Sequence, residues 1–406
     1  MKLCAGIDLC DDYIIVYVTG AAGARRFPAV ISRDRRTDEW YLGEEAYASA
    51  LSGKGILTDR LLTMLERGGT ATLARHTYSG AELVGRLVKE ALEQQLQGAA
   101  VSDLDRLVIA IRRPDPRLME LLTEAVEDIG INRSRIGIVS HSEALIRFVM
   151  SQDRNLFMNS CAVFDLSDEK LYYYEMKVLR GSAKPSVAAA GEAVETSFRT
   201  DILSSESGRR LADRIMRDSA ERLMKGGIYS AVFLTGKGFQ STDWAKEFLA
   251  FVCTRRRVLY HDGLFAQGAC IAAETAGSSE EEAYTLLCDT SLEYELSVKV
   301  RIKGRDSKLI LASPGDRWFG RRVHAELIPL DQDYVDVELT PVDPRKKSRL
   351  LRLPLTDFPE RERGCTALSL EADFPGPGEL SLSLKDLGFG EIFPASGAEI
   401  SREVEL

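Results

Sequence analysis

The sequence predicts an α/β domain built from a duplicated strand–turn–strand unit, followed by an all-β sandwich. Three observations carry this reading. AGIDLCDDYIIVYV (residues 5–18) and AVFDLSDEKLYYYEM (residues 162–176) align as apolar strand, Asp, Leu, polar residue, acidic pair and second apolar strand, an internal repeat. Strand-like and helix-like segments alternate as far as about residue 275. From Thr285 onward helical periodicity gives way to alternating strands separated by turn residues. The expected boundaries are a first domain over 1–276, with lobes of about 1–155 and 156–276, a linker over 277–283 and a sandwich over 284–406.

The elements follow in order. Residues 4–18 read as a strand, a tight turn and a second strand. FPAVISRDRRTDEWYLGEEAYASAL reads as further strand material leading into a helix from about Glu44. Residues 79–97 are strongly amphipathic, with Ser79 and Glu82 at capping-box spacing. LDRLVIAIRR is a buried strand ended by Pro114, and PRLMELLTEAVEDIG is a helix stopped at Gly130. RIGIVSHSEALIRFVMS runs from strand into helix. Residues 207–225 form a helix, YSAVFLTGKGF a strand ending in a Gly-x-Gly turn, and GLFAQGACIAAET a last helix. Beyond it, YELSVKVRI, RVHAELIPL, YVDVELTPV, TALSLEADF and ELSLSLKDL alternate as sandwich strands do.

Composition narrows the function classes. The chain has 406 residues, 45% hydrophobic and 28% charged, the balance of a globular protein of two or three domains. A net charge of −9 argues against a nucleic-acid partner, which needs a basic surface. The basic clusters Arg25-Arg26, Arg112-Arg113 and Arg255-Arg256-Arg257 are short, lie near acidic residues and read as solvated surface. Cys4, Cys10, Cys161, Cys253, Cys270, Cys288 and Cys365 are odd in number and widely spaced; they read as small buried residues in a reducing compartment. His76, His141, His261 and His324 have no ligand-like spacing, so no metal site is expected. Asp8 interrupts the first apolar run, and no run approaches the ~18 apolar residues of a membrane span. A cytoplasmic protein without membrane partners is expected.

The ordered set of motifs resembles the actin-like ATPase superfamily, and most of all chaperones of the DnaK, or seventy-kilodalton heat-shock, type. GIDLCDDYI stands where that family has GIDLGTTNS, and DLSDEK where it has DLGGGT. LTGKG matches its adenosine segment LVGGS, and LFAQGACIAA its closing helix AVAYGAA. YTLLCDTSLEYELSVKV resembles the family's apolar linker and first substrate-domain strand, and residues 355–386 resemble its later strands. The likeness covers almost the whole chain. It implies a ribonuclease H-like duplicated domain and a chaperone-type substrate domain. The interval between Asp165 and Gly236 is short, which implies loss of the subdomain that roofs the adenine. The chain also ends soon after the β-domain, so no helical lid is expected.

A phosphate-holding hairpin works through inward backbone N–H groups, with glycines permitting close approach. Here the turns are Cys10-Asp11-Asp12 and Ser167-Asp168-Glu169-Lys170. A carboxylate ~5 Å from a phosphate charge is repelled by roughly 3 kcal/mol at an effective dielectric of 20. The resemblance makes Asp8 and Asp165 the residues that would organise Mg²⁺ and water. SHSEALIR stands for the family's NEPTAAAL, placing His141 at the general-base position and Glu143 two residues on. Arg60 is the nearest, weak counterpart of the catalytic lysine, and Lys170 sits in the wrong hairpin position. Gly236 and Gly238 either accept a base or ribose or only turn the chain.

Two readings result. The first is a DnaK-like pseudo-ATPase that binds or scaffolds a protein or peptide partner, the partner adding to a sheet edge. The second is an active Mg-ATP-dependent ATPase chaperone or phosphotransferase, in which Asp8, Asp11, Asp12 and Asp165 hold Mg²⁺. The first needs no ATP or ADP; the second does. Outside the hairpins, the Gly388/Gly390 pair signals a turn, Phe389 and Phe393 fit packing or a contact patch, and Tyr172-Tyr173-Tyr174 reads as core plus rim.

Overall fold

The computed structural model describes residues 2–96, 98–167, 170–179, 184–195, 198–278, 283–329, 333–343, 345–376 and 378–406. Its contacts divide into two compact units, Met1–Tyr284 and Thr285–Leu406. The first is mixed α/β and the second all-β. The sequence places the linker at 277–283; of that stretch, Ser279 to Glu282 lie outside the described residues.

The first unit begins with a meander of β1 (Cys4–Leu9), β2 (Tyr13–Val18) and β3 (Arg25–Pro28). Every residue of β1 is buried, as befits a strand covered on both faces. Next come β4 (Ile31–Asp34), β5 (Trp40–Leu42), α1 (Glu44–Leu51) and β6 (Gly55–Thr58), whose strands form a small sheet ordered β5-β4-β6. Then follow α2 (Leu61–Glu66), the hairpin β7 (Thr70–Leu73) and β8 (His76–Ser79), and α3 (Gly80–Leu96). A capping box starts α3: the Ser79 hydroxyl accepts from the Glu82 N–H at 3.2 Å, and the Glu82 carboxylate accepts from the Ser79 N–H at 2.7 Å. The run closes with β9 (Arg106–Ile111), α4 (Pro116–Glu127), β10 (Ile136–Ser140) and α5 (His141–Met150). Both later strands are parallel to β1, giving a sheet ordered β10-β9-β1-β2-β3.

The second half repeats the pattern. A meander of β11 (Ser160–Asp165), β12 (Leu171–Leu179) and β13 (Ser186–Glu195) is followed by α6 (Glu206–Leu223), β14 (Tyr229–Thr235), α7 (Lys246–Val252), β15 (Arg257–Tyr260) and α8 (Leu264–Thr275). These five strands are ordered β15-β14-β11-β12-β13, with β14 and β15 parallel to β11. The two sheets therefore share one strand order and one set of directions. Asp8 pairs with Ile15 on its antiparallel side and Ala110 on its parallel side; Asp165 pairs with Tyr172 and Thr235 in the same sense.

Helices α5 and α8 connect the halves. A methyl at Gly6 would meet the Ala266 carbonyl oxygen at 2.1 Å, so α8 rides directly on β1. A methyl at Gly268 would meet the Ala144 carbonyl oxygen at 2.0 Å, so α8 also packs backbone to backbone on α5. From α5, Phe148 packs edge-on against Phe233 of β14, with ring centroids 5.6 Å apart. Helices α6 and α7 cover the second sheet through Met216 and Phe248.

The second unit contains β16 (Thr285–Leu287), β17 (Tyr294–Ile302), β18 (Arg305–Ala312), β19 (Arg322–Leu327), β20 (Tyr334–Pro341), β21 (Arg349–Pro354), β22 (Ala367–Gly376), β23 (Glu379–Gly388) and β24 (Glu399–Glu405). Two antiparallel sheets, β18-β17-β20-β21 and β19-β22-β23-β24, enclose a core including Val298, Val337, Leu353, Leu370 and Leu382. Arg361 grips buried Asp386 with two bonds of 2.7 Å, the bidentate geometry of a strong ion pair. Phe393 accepts the Phe389 N–H at 2.6 Å through its carbonyl, closing the turn that holds Gly390, just after Gly388 ends β23. No helix among the described residues is long and apolar enough to cross a membrane.

Candidate functional site

The carboxyl ends of parallel strands are where α/β folds gather functional groups. Here Asp8 is the last residue but one of β1, Asp165 ends β11, Arg112 follows β9 and His141 follows β10. Tyr13 comes from β2, and Tyr172 and Tyr174 from β12.

These side chains form one bonded network. Arg112 donates to the Asp165 carboxylate at 2.7 Å, to the Tyr174 hydroxyl at 3.2 Å and to the Tyr13 hydroxyl at 3.1 Å. Its guanidinium carbon lies 3.8 Å from the Tyr172 ring centre, a close cation–π contact. Ser167 donates a short bond to the other Asp165 oxygen. His141 meets Tyr174 through Nδ1 at 3.1 Å and Asp8 through Nε2 at 2.8 Å. Because Arg112 donates to the Tyr174 oxygen, the hydroxyl proton is left for His141 Nδ1, and Nε2–H then points at Asp8. The relay thus runs from Arg112 through Tyr174 and His141 to Asp8. The Phe265 ring stacks on His141 at 4.0 Å and 14°, fixing the imidazole plane.

Burial sets the electrostatics. Asp8 is 2% exposed, and Asp165 and His141 are fully buried. Burial pushes the Asp8 carboxyl up, but His141 opposes it most, with Arg112 and Arg26 adding to the effect. The balance lies below the ordinary carboxylate value. Burial pushes the Tyr13 and Tyr174 hydroxyls well up, against the pull of Arg112. Burial disfavours the Arg112 cation, yet its surroundings, Tyr13 and Asp165 foremost, hold it more firmly charged than usual.

The structure brings together Asp8, Asp165 and His141. Glu143 is buried, with its carboxylate 3.8 Å from Arg147 on its own helix. Gly236 and Gly238 lie against Leu166: added methyls would meet its backbone carbon at 2.5 Å and its Cδ2 at 2.3 Å. The Gly238 N–H donates to the Leu166 carbonyl at 2.9 Å, so both glycines serve the approach of β14 to the second hairpin. Asp11 is engaged elsewhere, accepting from the Thr63 N–H at 2.9 Å and from its hydroxyl. Asp12, Arg60 and Lys170 are exposed. Asp168 and Glu169 lie outside the described residues.

One expectation about the site needs correction. Arg112 is no solvated surface group: its side chain is 12% exposed and lies at the centre of the network. It directly follows a buried parallel strand, and that position was the available signal. In the Tyr172–Tyr174 run, Tyr174 is more than core, since its hydroxyl joins Arg112 to His141. Cys10 is buried, as small apolar cysteines are, but its thiol also faces Asp8 Oδ1 at 3.9 Å. Asp8, Cys10 and His141 each place one donor atom within 4.8 Å of the others, the grouping among the described residues best suited to hold a metal.

A family model described as "Family of unknown function (DUF5716) C-terminal" matches residues 16–289. A second, "Domain of unknown function (DUF8552)", matches residues 291–406. No curated protein matches the chain.

Proposed function

We propose that this chain, which belongs to the DUF5716 family of unknown function, is a binding or scaffold protein on an actin-like, DnaK-like framework whose phosphate site is closed. The repeated strand order of the two sheets supports the actin-like duplication. One observation carries the functional reading: the Arg112 guanidinium is bonded between the hairpins that the resemblance assigns to phosphates.

Magnitudes support it. A nucleotide entering there must pull Arg112 from Asp165, and an uncompensated buried carboxylate costs about 3–5 kcal/mol. That loss turns a micromolar site into a roughly millimolar one. Asp11 adds its own repulsion in place of the family's small donors. Asp8 and Asp165 already bond His141 and Arg112, so neither is set to organise Mg²⁺.

The partner is a protein or an extended peptide. In the second unit, β18, β21, β19 and β24 are outermost in their sheets among the described strands. An added strand would take affinity from main-chain hydrogen bonds and selectivity from alternate side chains.

The alternative is an Mg-ATP-dependent enzyme, favoured by Asp8 and Asp165 standing at matching register positions. Phosphate release from Mg-ATP separates the two. The scaffold reading expects the wild type and Asp8→Asn alike to stay at the buffer rate. Release that depends on Asp8 would select the enzyme.

A further inference from the structure

The geometry points to a metal site formed by Asp8, Cys10 and His141, suited to one transition ion of the zinc class. It goes beyond the proposed scaffold role and stands or falls separately from it. The three residues come from the end of β1, the turn after it and the start of α5, and are 2%, 5% and 0% exposed. Their carboxylate oxygen, sulfur and Nε2 atoms lie within 4.8 Å of one another.

Zinc bonds of about 2.0–2.3 Å at tetrahedral angles separate donor atoms by roughly 3.4–3.6 Å. The Nε2 to Asp8 distance of 2.8 Å and the Cys10 to Asp8 distance of 3.9 Å bracket that range. Small side-chain shifts suffice. Sulfur and imidazole select zinc-class ions over Mg²⁺ or Ca²⁺, which take oxygen.

The surroundings are those of a ligand set. A metal-bound imidazole generally has its other nitrogen held by a hydrogen-bonding partner, and Tyr174 stands 3.1 Å from Nδ1. Stacked Phe265 holds the ring plane. Without metal, a proton on Nε2 fills the gap to Asp8. With metal, Nε2 gives its lone pair to the ion, Nδ1 carries the imidazole proton toward the Tyr174 oxygen, and Cys10 releases its thiol proton to solvent. A divalent ion, one carboxylate and one thiolate sum to neutrality, so the adjoining Arg112–Asp165 pair stays balanced.

The test uses the full chain with Co²⁺ as probe, added to native protein and during refolding. The expected result is a thiolate-to-cobalt absorption band at about one ion per chain, with a raised melting temperature. Cys10→Ser should abolish the band; Cys161→Ser, altering a buried cysteine of the other half, should leave it. X-ray absorption on the wild type reads the same site without a variant, with one sulfur neighbour at about 2.3 Å. No band, a band that survives Cys10→Ser, or a thermal shift with no sulfur neighbour would each overturn the assignment.

Discussion

Arg112, just after β9, reaches β2 of its own sheet through Tyr13, and β11 and β12 of the other sheet through Asp165, Tyr174 and the Tyr172 ring. Truncating it strands a fully buried carboxylate. Arg112→Ala should cost about 3–5 kcal/mol in urea unfolding, whereas replacing both partners by apolar residues should cost far less. The buried tyrosines set the alkaline limit. Burial raises Tyr229 from 10.0 to about 12 and raises Tyr13, Tyr173 and Tyr174 as well. A hydroxyl that holds its proton more tightly when folded adds stability below the unfolded value of 10.0, and that stability is lost as pH climbs toward the folded value. Melting temperature should therefore hold up to about pH 9 and fall between 10 and 12, in step with tyrosinate absorbance. A flat profile through that window would mean that these hydroxyls are accessible.

Among the elements, α8 leaves little room for change at its backbone contacts. Gly268→Ala drives a methyl into the Ala144 carbonyl at 2.0 Å, which only separation of α8 from α5 relieves. The expected loss is about 3 kcal/mol in chemical unfolding, and an unchanged midpoint would contradict the packing. The same elements show what a sequence discloses. Helices α3, α4 and α5 are long enough for 3.6-residue periodicity and carry local caps, so they are legible. Helix α2 has six residues, too few for a period. In β18 the first four residues are exposed, and β24 is mostly charged, so neither shows clean alternation. Within the site, Asp8 and Asp165 stand out because their hairpins repeat. Arg112 and Tyr174 do not, because they come from different sheets 62 positions apart and only the fold makes them neighbours. A buried arginine and a surface one look alike in a sequence.

At the scale of the molecule, two sheets of one design share the helices α5 and α8, and Arg112 bonds the hairpin of one sheet to that of the other. The division into α/β and all-β units was legible in the switch of periodicity near residue 285. Of the bond between the hairpins the sequence shows only an acidic turn, because Arg112 and its partners become neighbours only in the fold. Calorimetric titration of the full chain with ATP and ADP, Mg²⁺ present, tests the closed cleft most directly. A closed phosphate site, as proposed, predicts no heat of binding and no thermal shift at millimolar nucleotide. Submillimolar binding that Arg112→Ala or Asp8→Asn alters would contradict it and make the cleft a working nucleotide site.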